Sequence, residues 1–429
     1  MFGSGRTRWL TTASAIAIVV AGISIPSAGQ AQQEQLLNRI EQLERELQEM
    51  RRQLEDVQNK QEQQEEQEQV RVQPSRKPPV RVTINGHINQ AYLYADNGDD
   101  SQSFIVDNDN SGSRLGITGE ADRGDWTGGA RLEVGFEVNS TDEINFGDRE
   151  PVGTSAGDND FLDVRHAEAY AQNPNYGEAY IGFGDIATED AAEVDLSGTT
   201  VIMESDVDDT AGGLDFENGI EVDDVFNNLD GFRTSRLAYF SPRIFGVQLG
   251  VAGRQEDADI LPDVSLNYKE GFGDWDFESA VGWRNDQGDD DDEGESQTFL
   301  GSASVLSPWG LNLTVAGGVE SLDDGDDPRD DDPNFFYVKG GYRAQWFDIG
   351  ETRFAVDYFM GENNTDDILQ ANGDNEQVET ESFGFGVVQV FSPLSAELYA
   401  HLRLYQLDID DNEDPDDLLA FMTGTRIRF

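Results

Sequence analysis

The residues most able to do chemistry here are carboxylates, and their arrangement suits ions better than bonds. Between Ile186 and Gly231 the chain places 14 Asp and Glu and no Lys or Arg. Glu189, Asp190, Glu193 and Asp195 come first, and Glu204, Asp206, Asp208, Asp209, Asp215 and Glu217 follow. An uncompensated acidic run of this kind attracts cations wherever water is confined. Covalent chemistry finds little support. There is no cysteine, hence no thiol nucleophile, disulfide or thiolate metal site. His87, His166 and His401 are scattered and have no nucleophile motif or metal-ligand spacing around them, so neither an enzyme nor a metal site is expected. Asp107, Asp109 and Ser111 superficially start a calcium loop, but its closing Glu is replaced by Thr118. No cofactor is implied.

Composition narrows the partners. With 86 acidic against 29 basic residues and a net charge of −57, the chain is a poor ligand for nucleic acid, whose phosphates require Lys and Arg. The basic residues are 25 Arg and only 4 Lys, a balance suited to a surface kept hydrated in high salt. Past residue 30 no apolar run is long enough to cross a membrane as a helix. Aromatic residues at 10% nevertheless recur at regular spacing, unlike a disordered acidic chain.

Four segments follow from texture. Residues 1–31 read as an export signal: Arg6 and Arg8, an apolar stretch from Trp9 to Ile25, the breaker Pro26, then small residues up to Ala31. A membrane-anchoring helix is the other reading of that stretch. Residues 32–69 carry Leu36, Ile40, Leu43, Leu47, Met50, Leu54 and Val57 at alternating spacings of four and three, a heptad seam that predicts a short coiled coil. A single solvated amphipathic helix is its alternative. Residues 70–81, with Pro74, Pro78 and Pro79, form a stiff linker.

From Val82 to Phe429 the period changes to two. Leu132, Val134, Phe136 and Val138 share one face, whereas Arg131, Glu133, Gly135 and Glu137 share the other. Phe421, Thr423, Thr425, Ile427 and Phe429 likewise share a side. Polar faces carrying Arg, Glu and Gly in segment after segment indicate a wet interior and an apolar exterior. Punctuation comes in two sizes. Seven short aromatic-rich turns, near residues 122–126, 173–177, 241–246, 270–275, 307–310, 346–352 and 392–396, alternate with long acidic loops. That predicts an all-β fold, a 16-stranded antiparallel transmembrane β-barrel preceded by the coiled-coil helix. Trp126, Tyr176, Phe245, Trp275, Trp309, Trp346 and Phe391 flank the short turns and should form one interfacial girdle.

Several of these residues resemble a known family. The stretch Val106 to Gly119 (VDNDNSGSRLGITG) looks like the second-strand signature of Gram-negative general porins. Arg233 to Pro242 (RTSRLAYFSP), followed by Phe245 and Gly246, resembles their sixth strand and its turn. Phe429 resembles the terminal signal read by the barrel assembly machinery. The resemblance implies a homotrimer in the cell outer membrane, embedded in its lipid, that passes small hydrophilic solutes by diffusion. It also implies that the third long loop, here Ile186 to Gly231, folds inward and narrows the pore, with Glu189, Asp190, Glu193 and Asp195 at the constriction. Two departures stand out: the general family lacks a coil of this kind, and the fifth strand ends Gly182 to Asp185 without the customary Arg.

The opposing wall is expected to be basic. Alternation turns Arg114 and Arg131 inward, and Arg165 and Arg236 follow on less regular strands. Pairing with Glu133 or Glu137 would give these arginines a merely structural role. Acid facing Arg makes a transverse field that favours cations. A substrate-specific channel for sugars or anions is the rival, but the inward aromatics Phe335, Tyr337, Tyr399 and Tyr405 cluster on two strands. The coil alone could tether the outer membrane to peptidoglycan.

Overall fold

The computed structural model describes residues 71–72, 80–136, 138–147, 162–256, 259–287, 295–322, 332–362, 378–409 and 414–429. The expected export signal and coiled coil lie outside them, as does most of the proline-rich linker. Residues 70–429 form one compact unit.

Sixteen antiparallel staves close into a barrel. They are β1 (Val80–Asp96), β2 in two segments (Ser101–Asp107 and Arg114–Arg123), β3 (Trp126–Gly135), β4 (Asp163–Asn173), β5 (Gly177–Asp185), β6 (Arg233–Phe240), β7 (Val247–Glu256) and β8 (Asp259–Phe272). There follow β9 (Trp275–Gln287), β10 (Glu295–Leu306), β11 (Leu311–Leu322), β12 (Asn334–Phe347), β13 (Gly350–Glu362), β14 (Val378–Phe391), β15 (Ala396–Ile409) and β16 (Leu418–Arg428). Each pairs with its sequence neighbours, and β16 pairs with β1 from Leu419 opposite Asp96 to Arg428 opposite His87. Closure leaves no sheet edge, which the hydrocarbon region requires.

Alternation has the predicted polarity. Leu115, Ile117, Leu132, Ile181, Leu237, Phe385 and Leu402 point outward and are exposed. His166, Glu168, Arg236, Arg254, Asp263, Lys339 and Arg403 alternate with apolar outward positions and are buried on the inner side. The short turns carry the girdle: Trp126 stacks on Tyr176 at 5.9 Å, and Trp275 meets Trp309 edge-on at 5.6 Å. Gly177 shows why a turn needs glycine. Its φ is +84°, and a Cβ there would lie 2.1 Å from the Phe240 carbonyl oxygen.

Two boundaries differ from expectation. The barrel starts at Val80, where Arg71 and Val72 pair against Arg81 and Val80. The second stave starts at Ser101, ahead of the Val106 to Gly119 signature, and is interrupted. Its first segment pairs with the second half of β1 and its second segment with the first half. Between them Asp109–Ser111 makes a tight turn whose N-cap, Asn108, accepts from the Asn110 backbone N–H. Polar Ser101, Gln102 and Ser103 disguise this upper segment as a loop.

The main hydrophobic core lies inside the barrel. Val201, Ile202, Met203, Leu214, Phe216 and Phe226 of the third long loop pack against Leu93, Val106, Phe335, Phe359 and Tyr405 of the wall. Phe226 sits 5.1 Å from Tyr405 and 5.7 Å from Phe359, ring centre to ring centre. Each such side chain contributes about 1.5–3 kcal/mol on burial. The loop is thus part of the fold, packed along one side of the lumen.

Candidate functional site

Loop three leaves β5 at Ile186 and is fixed at once. Asp263, buried on β8, accepts the backbone N–H groups of Ala187 at 2.5 Å and Thr188 at 3.2 Å. The loop's end then clasps its start: Asp230 accepts from the N–H of Asp190 at 2.7 Å and of Ala192 at 2.8 Å. Arg284 on β9 holds this clasp by donating to the carbonyls of Leu229 and Asp230 at 2.7 and 2.6 Å. Farther along, Ser302 and Ser304 on β10 accept from the N–H of Val194 and Leu196, both at 2.9 Å. Lys339 on β12 donates to the Met203 carbonyl at 2.5 Å and pairs with Asp195. Tyr405 donates to the Val207 carbonyl at 2.7 Å.

The four expected acids therefore occupy different settings. Glu189 pairs with Arg233 at 2.5 Å. Asp190 is exposed and holds a left-handed backbone (φ +62°); dehydration and the Asp185 charge push its carboxyl above the usual range, against the pull of Arg233, Arg165 and Arg114. Glu193 accepts from Asn228 at 3.1 Å, and its carboxylate gathers with those of Asp190 and Asp230 within 4.8 Å. Asp195 is turned to the wall, its side chain 3% exposed against a Lys339 side chain that is 0% exposed.

The arginines meet on the opposite wall, and each has a carboxylate. Arg114 donates to the Gly112 carbonyl at 3.1 Å and stands 3.7 Å from Glu133. Arg165 donates to Glu133 at 3.3 Å. Arg131 donates to Glu168 at 2.8 Å and to His166 at 2.8 Å. Arg236, with a side chain 2% exposed, lies 2.7 Å from Glu168 and donates to the carbonyls of Asp185 and Gly182 at 2.6 and 3.2 Å. Glu133 thus takes the structural pairing weighed from sequence, and Glu168 joins it. Phe429 lies beyond β16 and is exposed, its ring beside Gly86 and the Arg114 backbone.

Four functional residues went unread in the sequence. Arg233 and Asp185, 3.0 Å apart, stand between the acids and the arginines. Gly182 and Gly184 precede Asp185 and hide its direction, because glycine has no face to read. Lys339 and Arg284 bind loop segments 136 and about 55 residues away in sequence, which no local pattern reveals. The four inward aromatics are found where alternation put them, but Phe335, Tyr337, Tyr399 and Tyr405 are buried beneath the loop and its neighbours. No aromatic slide runs along these strands.

The loop's acids keep partial contact with lumen water but have protein on most sides. This dehydration holds Glu193, Glu204, Asp206, Asp208 and Asp209 well above or above the usual carboxylate range, and mutual repulsion adds to the effect for most of them. It raises Glu189 to about 8 despite the opposing pull of Arg233, and Asp230 to about 7. The formal count of 14 therefore overstates the charge the loop carries near neutral pH. The guanidinium groups facing it stay charged throughout.

Comparison with known proteins agrees with this architecture. The family model of the Gram-negative porins matches residues 63–410. No curated protein sequence matches the chain. Among solved structures it is similar to an anion-selective porin from Comamonas acidovorans (TM-score 0.52, 15% identity, 82% of this chain and 100% of that one). It is also similar to OmpT, an outer membrane protein of Vibrio cholerae (0.52, 12%, 83% and 100%). A third similar structure is Salmonella typhi OmpF in complex with daunomycin (0.53, 14%, 81% and 98%). Family and fold indicate an outer-membrane diffusion channel and not an enzyme. A family match over most of the chain, on a closed 16-stave barrel with an inward third loop, means that this protein belongs to the Gram-negative porins.

Proposed function

We propose that the channel passes small hydrophilic solutes and ions passively and prefers cations at low salt. Its eyelet lies between Glu189, Asp190 and Glu193 on the loop side and Arg114, Arg131 and Arg165 on the wall, with Arg233 and Asp185 between them, while Asp195 is drawn away to Lys339 and Arg236 is buried against Glu168. The observation that carries this reading is the exposed Asp190 carboxylate, gathered with those of Glu193 and Asp230 within 4.8 Å next to the Glu189–Arg233 pair. Opposed charges across a narrow wet passage orient water and dipolar solutes. The wall arginines already have carboxylate partners, so further ionised acid on the loop tips the balance toward cations.

The same reading extends to the rest of the chain. Residues 1–31 direct export, residues 32–69 form a periplasmic coil able to reach peptidoglycan, and three copies assemble in the outer membrane. The test of selectivity is the zero-current potential of single channels across a KCl gradient. A potential of cation sign is expected, and anion sign in the unmodified channel overturns the preference.

A further inference from the structure

On the lumen wall toward the short-turn end, below the arginines, three rings meet. Tyr170 on β4 shares the inward face of Glu168, Tyr180 on β5 stands directly across the ladder from it, and Phe240 ends β6 beside them. Tyr170 and Tyr180 are 5.7 Å apart, and Phe240 meets Tyr180 edge-on at 6.1 Å. All three are half-buried. Ala187, Ala238 and Ala252 pack behind Tyr180 and Phe240. Glycines make room: a Cβ on Gly129 would come within 2.5 Å of the Tyr170 ring, and one on Gly250 within 2.8 Å of Phe240.

The polar atoms around these rings are fixed. The Tyr170 hydroxyl donates to Glu120 at 2.8 Å, and the Tyr180 hydroxyl donates to Glu178 at 2.6 Å. Gln172 donates to the Tyr180 oxygen at 3.1 Å. Both phenols are thereby locked in orientation. The Arg236 guanidinium lies 5.7 Å from the centre of the Tyr180 ring and is shielded from water.

We propose that these rings form a stacking site for a neutral, polyhydroxylated ring, the pyranose class of solute; this rests on the reading of an open diffusion channel. The surroundings select the class. The Glu178 carboxylate at the rim repels solutes bearing carboxylate or phosphate, and its lone pairs, with those of Glu120, which is paired with Arg81 at 2.6 Å, accept hydroxyl hydrogens. Arg236 already draws on the π density of Tyr180, so an organic cation gains less there. What remains is apolar ring surface beside hydroxyl acceptors, which fits the C–H face and hydroxyl edge of a sugar ring.

The experiment compares methyl glucopyranoside, a locked ring, with sorbitol, an open chain of similar size. Single-channel current in salt alone is recorded first for each protein, and added solute is expressed relative to it. The ring should produce about two- to tenfold more excess current noise than sorbitol, the span set by one aromatic contact. Tyr180→Ala should abolish the difference, and Tyr170→Phe, which keeps the ring, should preserve it. Phe240→Ala replaces Tyr180→Ala if that variant yields no channels. Equal noise from both solutes, a difference that survives loss of the ring, or one lost in Tyr170→Phe would overturn the site. Absence of salt current in the unmodified protein would instead sink the diffusion reading itself.

Discussion

Phe429 and Gly86 exchange two backbone hydrogen bonds: the Phe429 N–H donates to the Gly86 carbonyl at 3.0 Å, and the Gly86 N–H donates to the Phe429 carbonyl at 3.1 Å. The pair extends the β16–β1 seam past its last ladder position. Gly86 is required there because a Cβ would lie 2.4 Å from the Arg114 carbonyl oxygen and 3.1 Å from the Phe429 ring. Deleting Phe429 should lower the amount of newly inserted protein in the outer membrane, while channels already folded keep their conductance. Quantifying the protein in outer-membrane fractions checks this, and wild-type levels would contradict a role of Phe429 in assembly.

Lys339 should govern how firmly loop three is held. Lys339→Gln strands Asp195 and the Met203 carbonyl in a dry setting, a change that typically costs about 3–5 kcal/mol. The expected result is a lower unfolding temperature and noisier open-channel current. Replacing both partners, Lys339→Met with Asp195→Leu, should restore most of the stability, because no uncompensated charge remains.

Selectivity should depend on position more than on the number of acids. Neutralising Glu189, Asp190, Glu193 and Asp195 together should move the zero-current potential toward zero. Asp190→Asn alone should account for most of that movement, since Glu189 and Asp195 already face Arg233 and Lys339. Neutralising Asp289 to Asp292, which lie outside loop three in the sequence, should matter far less. At about 1 M salt, where the Debye length is about 3 Å, the eyelet effect should shrink yet persist. Equal effects from the two sets would refute the assignment of loop three to the constriction.

Cation preference should rise with pH. Dehydration holds Glu189 at about 8 and Asp230 at about 7, so each gains charge as pH passes through that range while the arginines do not change. The sign for stability is opposite. A carboxyl whose folded pKa is raised binds more protons folded than unfolded, so its contribution falls as pH climbs from about 4.5 toward about 8. Zero-current potentials between pH 5 and 9 test the first statement, and thermal unfolding over the same range tests the second. A flat profile in both would show that these acids do not titrate between pH 5 and 9.

Removing residues 1–69 should leave a trimeric, conducting barrel, since residues 70–429 form a compact unit of their own. Analytical ultracentrifugation in detergent decides the matter. A folded monomer would make the coil the true oligomeriser.

Strand positions were legible because each stave obeys a period of two and each short turn carries an aromatic. Observed starts at Trp126, Gly177, Trp275 and Ala396 fall where the short turns read from sequence end. The interrupted second stave was not legible, because its reason is tertiary: Asn108 reaches the Val201 carbonyl at 2.8 Å and the Tyr399 hydroxyl at 3.1 Å. Within the site, residue types were readable but partnerships were not. Asp195 and Glu193 look alike in the sequence, yet a cation supplied by β12 turns one to the wall and leaves the other beside Asp190.

The packed interior of loop three has a mechanical consequence. Phe226 wedged against Tyr405 and Phe359, and Met203 held by Lys339, make one side of the passage a close-packed solid instead of a tethered ribbon. Such a wall resists bending, so thermal breathing cannot widen the aperture much for a solute slightly too large. The sieve should therefore have a sharp size limit, with permeation falling steeply over a narrow range of solute diameters instead of tapering across a broad one.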